Sequence, residues 1–179
     1  MKVELDKFNN NWFRPGSKFK IILWIFCSYI FMRTSFPWPM CIKKMLLIFF
    51  GCRFGNGLVI KPKVNIKYPW RLTMGDHVWI GEEVWIDNLA NVNIHSHVCV
   101  SQGAMLLTGN HNYKVSSFDL EIGEITLEEG VWIGAKSVVC PGVKAEKNSV
   151  LSVSSIATKH MLENKVYQGN PAEIKKDRI

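Results

Sequence analysis

A six-residue beat constrains this chain more than any other feature. Aliphatic residues recur at every sixth position: Ile60, Ile66 and Leu72; then Met74, Ile80, Ile86 and Val92; then Ile94, Val100 and Leu106; and, after a gap, Leu127, Ile133, Val139, Ala145, Leu151 and Ala157. Four residues after many of these stands a small or β-branched residue, among them Val64, Val78, Val98, Ser137 and Ser155. A period of six matches neither the 3.6 of a helix nor the 2 of a single strand. It matches short strands that turn a corner every six residues and send one aliphatic and one small side chain into a shared interior. Three such faces close a turn of about 18 residues, and successive turns stack about 4.8 Å apart as parallel strands. The beat slips by two residues between Leu72 and Met74 and between Val92 and Ile94, which small corner insertions absorb. Gly, Asn and Asp mark the corners at Gly75-Asp76, Gly81, Asp87-Asn88, Gly103, Gly130, Gly134, Gly142 and Asn148, residue types that tolerate unusual backbone angles.

The repeat divides the chain into parts. Residues 1–56 read as an N-terminal helical region, with one helix over Ile21 to Met32 and a second over Met40 to Phe50. Residues 57–160 form the repeat domain. Within it residues 107–126 break the beat, and a loop that long in a compact coil is ejected from it and functional. Residues 161–179 read as a short polar tail with a turn at Gly169-Asn170-Pro171. The helices have two readings. They cover the open end of the coil, as stacked repeats require, or they make a peripheral membrane contact through residues 18–50, with Lys18, Lys20, Arg33, Lys43 and Lys44 near headgroups. The apolar run is too short to span a bilayer, and the polar opening does not resemble a signal peptide.

Composition narrows the function. Lys plus Arg outnumber Asp plus Glu by 22 to 15, a formal charge of +7 that suits a phosphorylated cofactor or an anionic surface. No arginine-rich run or basic strand interleaved with aromatics points to nucleic acid. The five cysteines form no CxxC pair and read as reduced thiols of a cytoplasmic protein.

The hexads (IGEEVW from Ile80, IGAKSV from Ile133), the TGNHNY loop, VWIGAKSVVCPGV and the closing YQGNPAEI resemble the hexapeptide-repeat acetyltransferases. Within that family they are most similar to the colanic-acid-type polysaccharide O-acetyltransferases and the galactoside and maltose O-acetyltransferases. The resemblance covers about residues 52–175. It implies a left-handed parallel β-helix, a homotrimer with active sites between neighbouring subunits, and acetyl-CoA as donor. The hand does not follow from spacing, since crossovers are otherwise right-handed.

His111 stands in the ejected loop, where the family places its catalytic histidine. An imidazole with an ordinary pKa of about 6.5 is suited to take a proton from an attacking alcohol at neutral pH. Asn88 and Asp87 occupy a corner where the family holds its acceptor sugar, although corner residues of these types are also common for turn reasons. The backbone N–H of Ala135 matches the family's oxyanion donor. Trp132, Gly134, Ala135 and Gly142 match its pantetheine track, and Thr158 and Lys159 its adenosine and phosphate contacts. Lys175, Lys176 and Arg178 are weaker phosphate candidates. No carboxylate stands at a spacing that assigns it to orient His111, and no cysteine beside it suggests an acyl-enzyme.

The resulting expectation is an acetyl-CoA-dependent O-acetyltransferase that acts on a sugar or oligosaccharide hydroxyl in surface-polysaccharide synthesis. It would need no metal and work in the cytoplasm or at the inner face of the membrane. Three alternatives stay open. One is N-acetyl transfer to an amino sugar, and another is a non-catalytic trimeric scaffold. The third is a zinc carbonic anhydrase on the same fold: His95 and His97, two apart, would face one side of a strand, but that site needs three histidines with the last two close in sequence, and His111 has no such companion in residues 112–126.

Overall fold

The computed structural model describes residues 2–178. Every inward position named from the beat is 8% exposed or less, from Ile60 to Ala157 and including the small positions such as Val64, Ala90, Ser137 and Ser155. The aliphatic and small side chains therefore fill one continuous prism interior, and each buried Ile or Leu contributes about 1.5–3 kcal/mol through its removal from water. The fold predicted from period six is the one observed.

Three parallel sheets wall this interior. The first face comprises Arg53–Phe54, Leu72–Met74, Val92–Ile94, Ile125–Leu127 and Lys144–Ala145. The second comprises Val59–Ile60, Trp79–Ile80, Cys99–Val100, Trp132–Ile133, Val150–Leu151 and Lys165–Gly169. The third comprises Asn65–Ile66, Trp85–Asp87, Met105–Leu107, Val138–Val139 and Ile156–Ala157. Register explains the slips. Partners stand 20 residues apart in the early turns (Val59 with Trp79, Trp79 with Cys99) and 33 across the ejected segment (Cys99 with Trp132). Only then do they settle to 18 (Trp132 with Val150). The two extra residues of each early turn lie at the corner before the first face, one corner being the 3-10 turn Pro69–Arg71.

Three corner assignments are corrected. Gly75, Gly81 and Gly134 do not sit at positive φ. They are small because the next turn passes close by: a Cβ on Gly81 would lie 2.6 Å from the Gln102 backbone nitrogen, and one on Gly134 2.6 Å from the Leu151 carbonyl oxygen. The left-handed positions include Lys63, His77, Glu83, His97, Lys136 and Ser154, so tight solenoid corners here accept ordinary side chains at a cost of about 1 kcal/mol each.

Helices α1 (Lys18–Phe31) and α2 (Met40–Phe49) close the N-terminal end. Main-chain bonds run both ways between neighbouring turns, Val59 N to Val78 O and His77 N to Asn56 O, but the first-turn carbonyls of Ile60, Lys61 and Ile66 point away from the second turn and have no strand above them. The helices supply donors: Trp24 Nε1 to Ile66 O at 2.7 Å, and Lys43 Nζ to Ile60 O at 2.9 Å and Lys61 O at 3.3 Å. Lys43 is therefore buried, not at a headgroup, and desolvation followed by the nearby Lys61 charge lowers its pKa below the usual lysine value. Lys20 is likewise engaged, with its ammonium 4.6 Å over the Trp70 ring.

The C-terminal residues do more than the polar composition implies. Lys165–Gly169 extends the second face, Ala172–Asp177 folds back antiparallel on it, and Met161 and Tyr167 enter the core.

Candidate active site

The ejected segment is a hairpin in which Gly109–His111 pairs antiparallel with Leu120–Ile122. It leaves the coil after the third face and returns before the first. Its root is bound to the turn preceding it: the buried Thr108 Oγ1 donates to Asp87 O at 2.9 Å and accepts from Ala90 N at 2.9 Å. On the return strand, Gly123 lies against the turn that follows, where a Cβ would stand 2.5 Å from the Gly142 backbone nitrogen. A side chain there has only main chain to push against.

His111 ends the outgoing strand and is half-buried. Its Nδ1 lies 2.9 Å from the Phe118 carbonyl oxygen, and its ring stacks on the Phe118 ring at 4.4 Å and 4°. A carbonyl oxygen can only accept, so Nδ1 carries the proton and the neutral ring presents a lone pair at Nε2. The orienting group missing from the sequence reading is thus a main-chain carbonyl, and Phe118 reaches it with φ 51. Phe8 covers another side of the imidazole at 5.6 Å. It belongs to an N-terminal strap tied down by Glu4 N to Ser116 O at 2.8 Å and Trp70 Nε1 to Pro15 O at 2.9 Å. Neither Phe8 nor Phe118 has a signature in the sequence: one contributes a ring from 103 residues upstream and the other a carbonyl that every residue has.

The Asp87-Asn88 corner separates into two roles. Asp87 is partly exposed, with Lys67 Nζ 2.8 Å from its Oδ1. Asn88 is 0% exposed. Its Oδ1 accepts from Tyr68 N at 2.9 Å and its Nδ2 donates to Tyr68 O at 2.7 Å. Its amide replaces a strand partner at the corner where the early turns carry extra residues. The expectation that Asn88 contacts a substrate is corrected: the amide is turned inward with both ends occupied.

The other candidates fall at two places. Gly142 (φ 79, with open space on its Cβ side) and then Thr158 and Lys159 lie on successive turns of the same corner as the hairpin root. Trp132, Gly134 and Ala135 lie on the second face and its corner with the third, beside an open groove of about 660 Å³ that Ser101 and Val153 also line. Trp132 Nε1 donates to Ser101 Oγ at 2.9 Å. The Ala135 carbonyl accepts from Ser154 N at 2.9 Å, while no acceptor among the described residues takes the Ala135 N–H. Arg178 Nη1 donates to Gly130 O and Asn148 O at 2.8 and 3.0 Å, which fastens the end of the last strand to the coil beside the same groove. One chain therefore does not bring His111 and Ala135 together, because they stand on different corners of the prism.

His77 and His97 stack at 5.1 Å on equivalent corners of adjacent turns. Among the described residues no three His, Cys, Asp or Glu side chains are grouped to hold a metal ion.

A hexapeptide coil that ejects a histidine hairpin at one corner is, by the similarities that follow, that of a protein of the acyltransferase class. The chain is 33% identical over 171 residues to the Escherichia coli (strain K12) protein named for colanic acid biosynthesis, acetyltransferase WcaF, and covers 93% of this chain and 92% of that one. It is 30% identical over 123 residues to the galactoside O-acetyltransferase of Lactococcus lactis, covering 69% of this chain and 51% of that protein. Among solved structures, a galactoside acetyltransferase in complex with coenzyme A superposes with a TM-score of 0.80 at 23% identity, covering 89% of this chain and 81% of that one. The Vibrio cholerae hexapeptide-repeat acetyltransferase VCA0836 with acetyl-coenzyme A superposes at 0.75 and 20% identity, covering 81% of each chain. No family model matches the chain. The chain belongs to the hexapeptide-repeat acetyltransferase family, and its coil is that family's left-handed parallel β-helix.

Proposed function

We propose that this protein transfers an acetyl group from acetyl-CoA to a sugar hydroxyl during surface-polysaccharide synthesis, with His111 as general base. The observation that carries the reading is the Nδ1 contact to the Phe118 carbonyl, which leaves Nε2 as the proton acceptor. Nε2 takes the hydroxyl proton as the sugar oxygen attacks the thioester carbon. The Ala135 N–H stabilises the oxyanion that forms. The C–S bond then breaks, and the leaving thiolate takes the proton back from the imidazolium.

The placement of His111 and Ala135 on different corners supports a site shared between copies, the homotrimer of the family expectation. In that arrangement the hairpin corner of one copy faces the second-face groove of the next. The donor's pantetheine arm then passes Trp132, Gly134 and Gly142, its phosphates reach Thr158 and Lys159, and the partly exposed Asp87 at the hairpin root contacts the acceptor. The enzyme works at the cytoplasmic face of a membrane, where its N-terminal region makes a peripheral contact.

His111→Ala is expected to lower turnover by roughly 10²-fold or more while acetyl-CoA binding and the thermal melt stay unchanged. Undiminished turnover would remove His111 as the base. Paired hydroxyl and amine versions of one acceptor, assayed with labelled acetyl-CoA, separate O- from N-transfer. Exclusive amine acetylation would replace the reading.

A further inference from the structure

The end of the molecule that carries α1 and α2 differs chemically from the rest. Between Lys7 and Gly75 the chain holds twelve Lys or Arg and no Asp or Glu, so all fifteen acidic residues lie elsewhere. In the same stretch α1 is apolar on both sides. Trp24 faces the coil and is buried, while Phe19, Ile22, Ile25, Phe26 and Tyr29 face outward at 49–76% exposure. On α2 the outward residues are Met45, Ile48 and Phe49, at 62–71% exposure. These positions recur at helical spacing, so each helix presents an apolar stripe to the outside. A helix that is hydrophobic all round is covered all round, and the coil covers only one side of each.

We propose that an anionic bilayer surface covers the other side, and that the two helices lie in the boundary between headgroups and acyl chains. Length excludes a crossing. α1 has 14 residues, about 21 Å of helix against about 30 Å of hydrocarbon, and among the described residues no helix is long and apolar enough to cross a membrane. Charge selects the occupant. The exposed Arg14, Lys18, Arg53 and Lys61 belong to the capped end and attract anionic lipid, each by about fivefold in partitioning. A second copy on the same face would instead set one acid-free basic stretch against another.

Docking also sets the distance to the chemistry. The turn holding Leu106, from which the His111 hairpin departs, is two spacings from the first turn, about 10 Å along the axis. The strap bearing Phe8 runs from the imidazole directly into α1. On the acetyl-transfer reading, on which this last step rests, the acceptor is a saccharide carried by a membrane lipid.

The test is flotation of the full-length protein with phosphatidylcholine vesicles, with and without about a third phosphatidylglycerol, together with light scattering and a thermal melt. Binding is expected to favour the anionic vesicles, to weaken with salt, and to fall at least tenfold in Phe19→Glu/Phe26→Glu and severalfold in Arg14→Glu/Lys18→Glu. The second pair leaves the apolar stripe untouched and guards against misfolding of the first. Acetyl transfer to a water-soluble acceptor is expected to persist in both, which separates loss of docking from loss of catalysis. No vesicle binding, or binding indifferent to lipid charge and to both variants, overturns the proposal. So does a fall in oligomer mass in Phe19→Glu/Phe26→Glu with vesicle binding unchanged, because the stripe then belongs to a second copy.

Discussion

Replacing Asn88 with Ala separates a structural account of this residue from a functional one. The wild-type amide lies in a fully buried position and closes two hydrogen bonds to the Tyr68 backbone, at 2.9 and 2.7 Å. Tyr68 is itself 8% exposed, so neither its N–H nor its C=O finds bulk water once the amide is gone. Each orphaned buried group costs about 1–3 kcal/mol. Together they predict a destabilisation of about 4 kcal/mol, and at about 2–4 °C per kcal/mol for a chain of this size the melting temperature falls by roughly 8–16 °C. Asp87→Ala is the neighbouring control. It removes a partly exposed ion pair worth about 0–1 kcal/mol and leaves the melt nearly in place. The assay is a thermal melt at matched protein concentration, since association between copies would add concentration-dependent stability, run beside acetyl-CoA-dependent turnover. An Asn88→Ala protein that melts within about 2 °C of wild type yet loses turnover would refute the reasoning and return Asn88 to the acceptor site.

Further consequences concern the hairpin root and the thiols. Gly123→Ala is expected to reduce turnover at least tenfold, because its Cβ would meet the Gly142 main chain at 2.5 Å and displace the strand that returns from His111. Gly109→Ala is expected to be milder, since its nearest obstacle is the movable tip of the Leu89 side chain; steady-state kinetics on the two variants checks the order. Cys41 is exposed and Cys52 buried, so a thiol reagent should label Cys41 in the folded protein and Cys52 only on unfolding, as peptide mass mapping would show. Burial pushes the Cys52 thiol up to about 12 from an ordinary value of 9.0. The unfolded chain therefore loses this proton first, and the stability the group contributes is intact below about pH 9 and lost as pH rises from there through about 12. Denaturant titrations of wild type and Cys52→Ala across that window should converge as the pH climbs.

Much of the architecture is legible in one dimension because the coil repeats locally. Each turn contacts only its neighbours, so the side chain at every sixth position reports its own burial, and even the slips at Leu72–Met74 and Val92–Ile94 read out as extra corner residues. The same locality made the interruption at 107–126 visible and drew attention to His111. Reading failed where a residue's role depends on what faces it. The sequence shows Asn88 as a polar corner residue beside Asp87, and nothing in it distinguishes an amide turned outward to a sugar from one turned inward to Tyr68. Gly75, Gly81 and Gly134 look like turn glycines, but the approach of the next turn requires them. Lys43 looks like one of several surface cations until the first turn's unpaired carbonyls appear beneath it.

Pattern and chemistry carried by individual side chains were enough to establish a parallel prism, its ejected arm, an imidazole on that arm and an acid-free basic stretch at the N-terminal end. Only the folded chain decided which group holds the imidazole. A main-chain carbonyl is common to all residues and becomes particular only when Phe118 is bent back within 2.9 Å of Nδ1. Only the folded chain, too, put His111 and Ala135 on separate corners, because corner identity depends on the count of residues per turn, which changes from 20 to 33 to 18 along the coil.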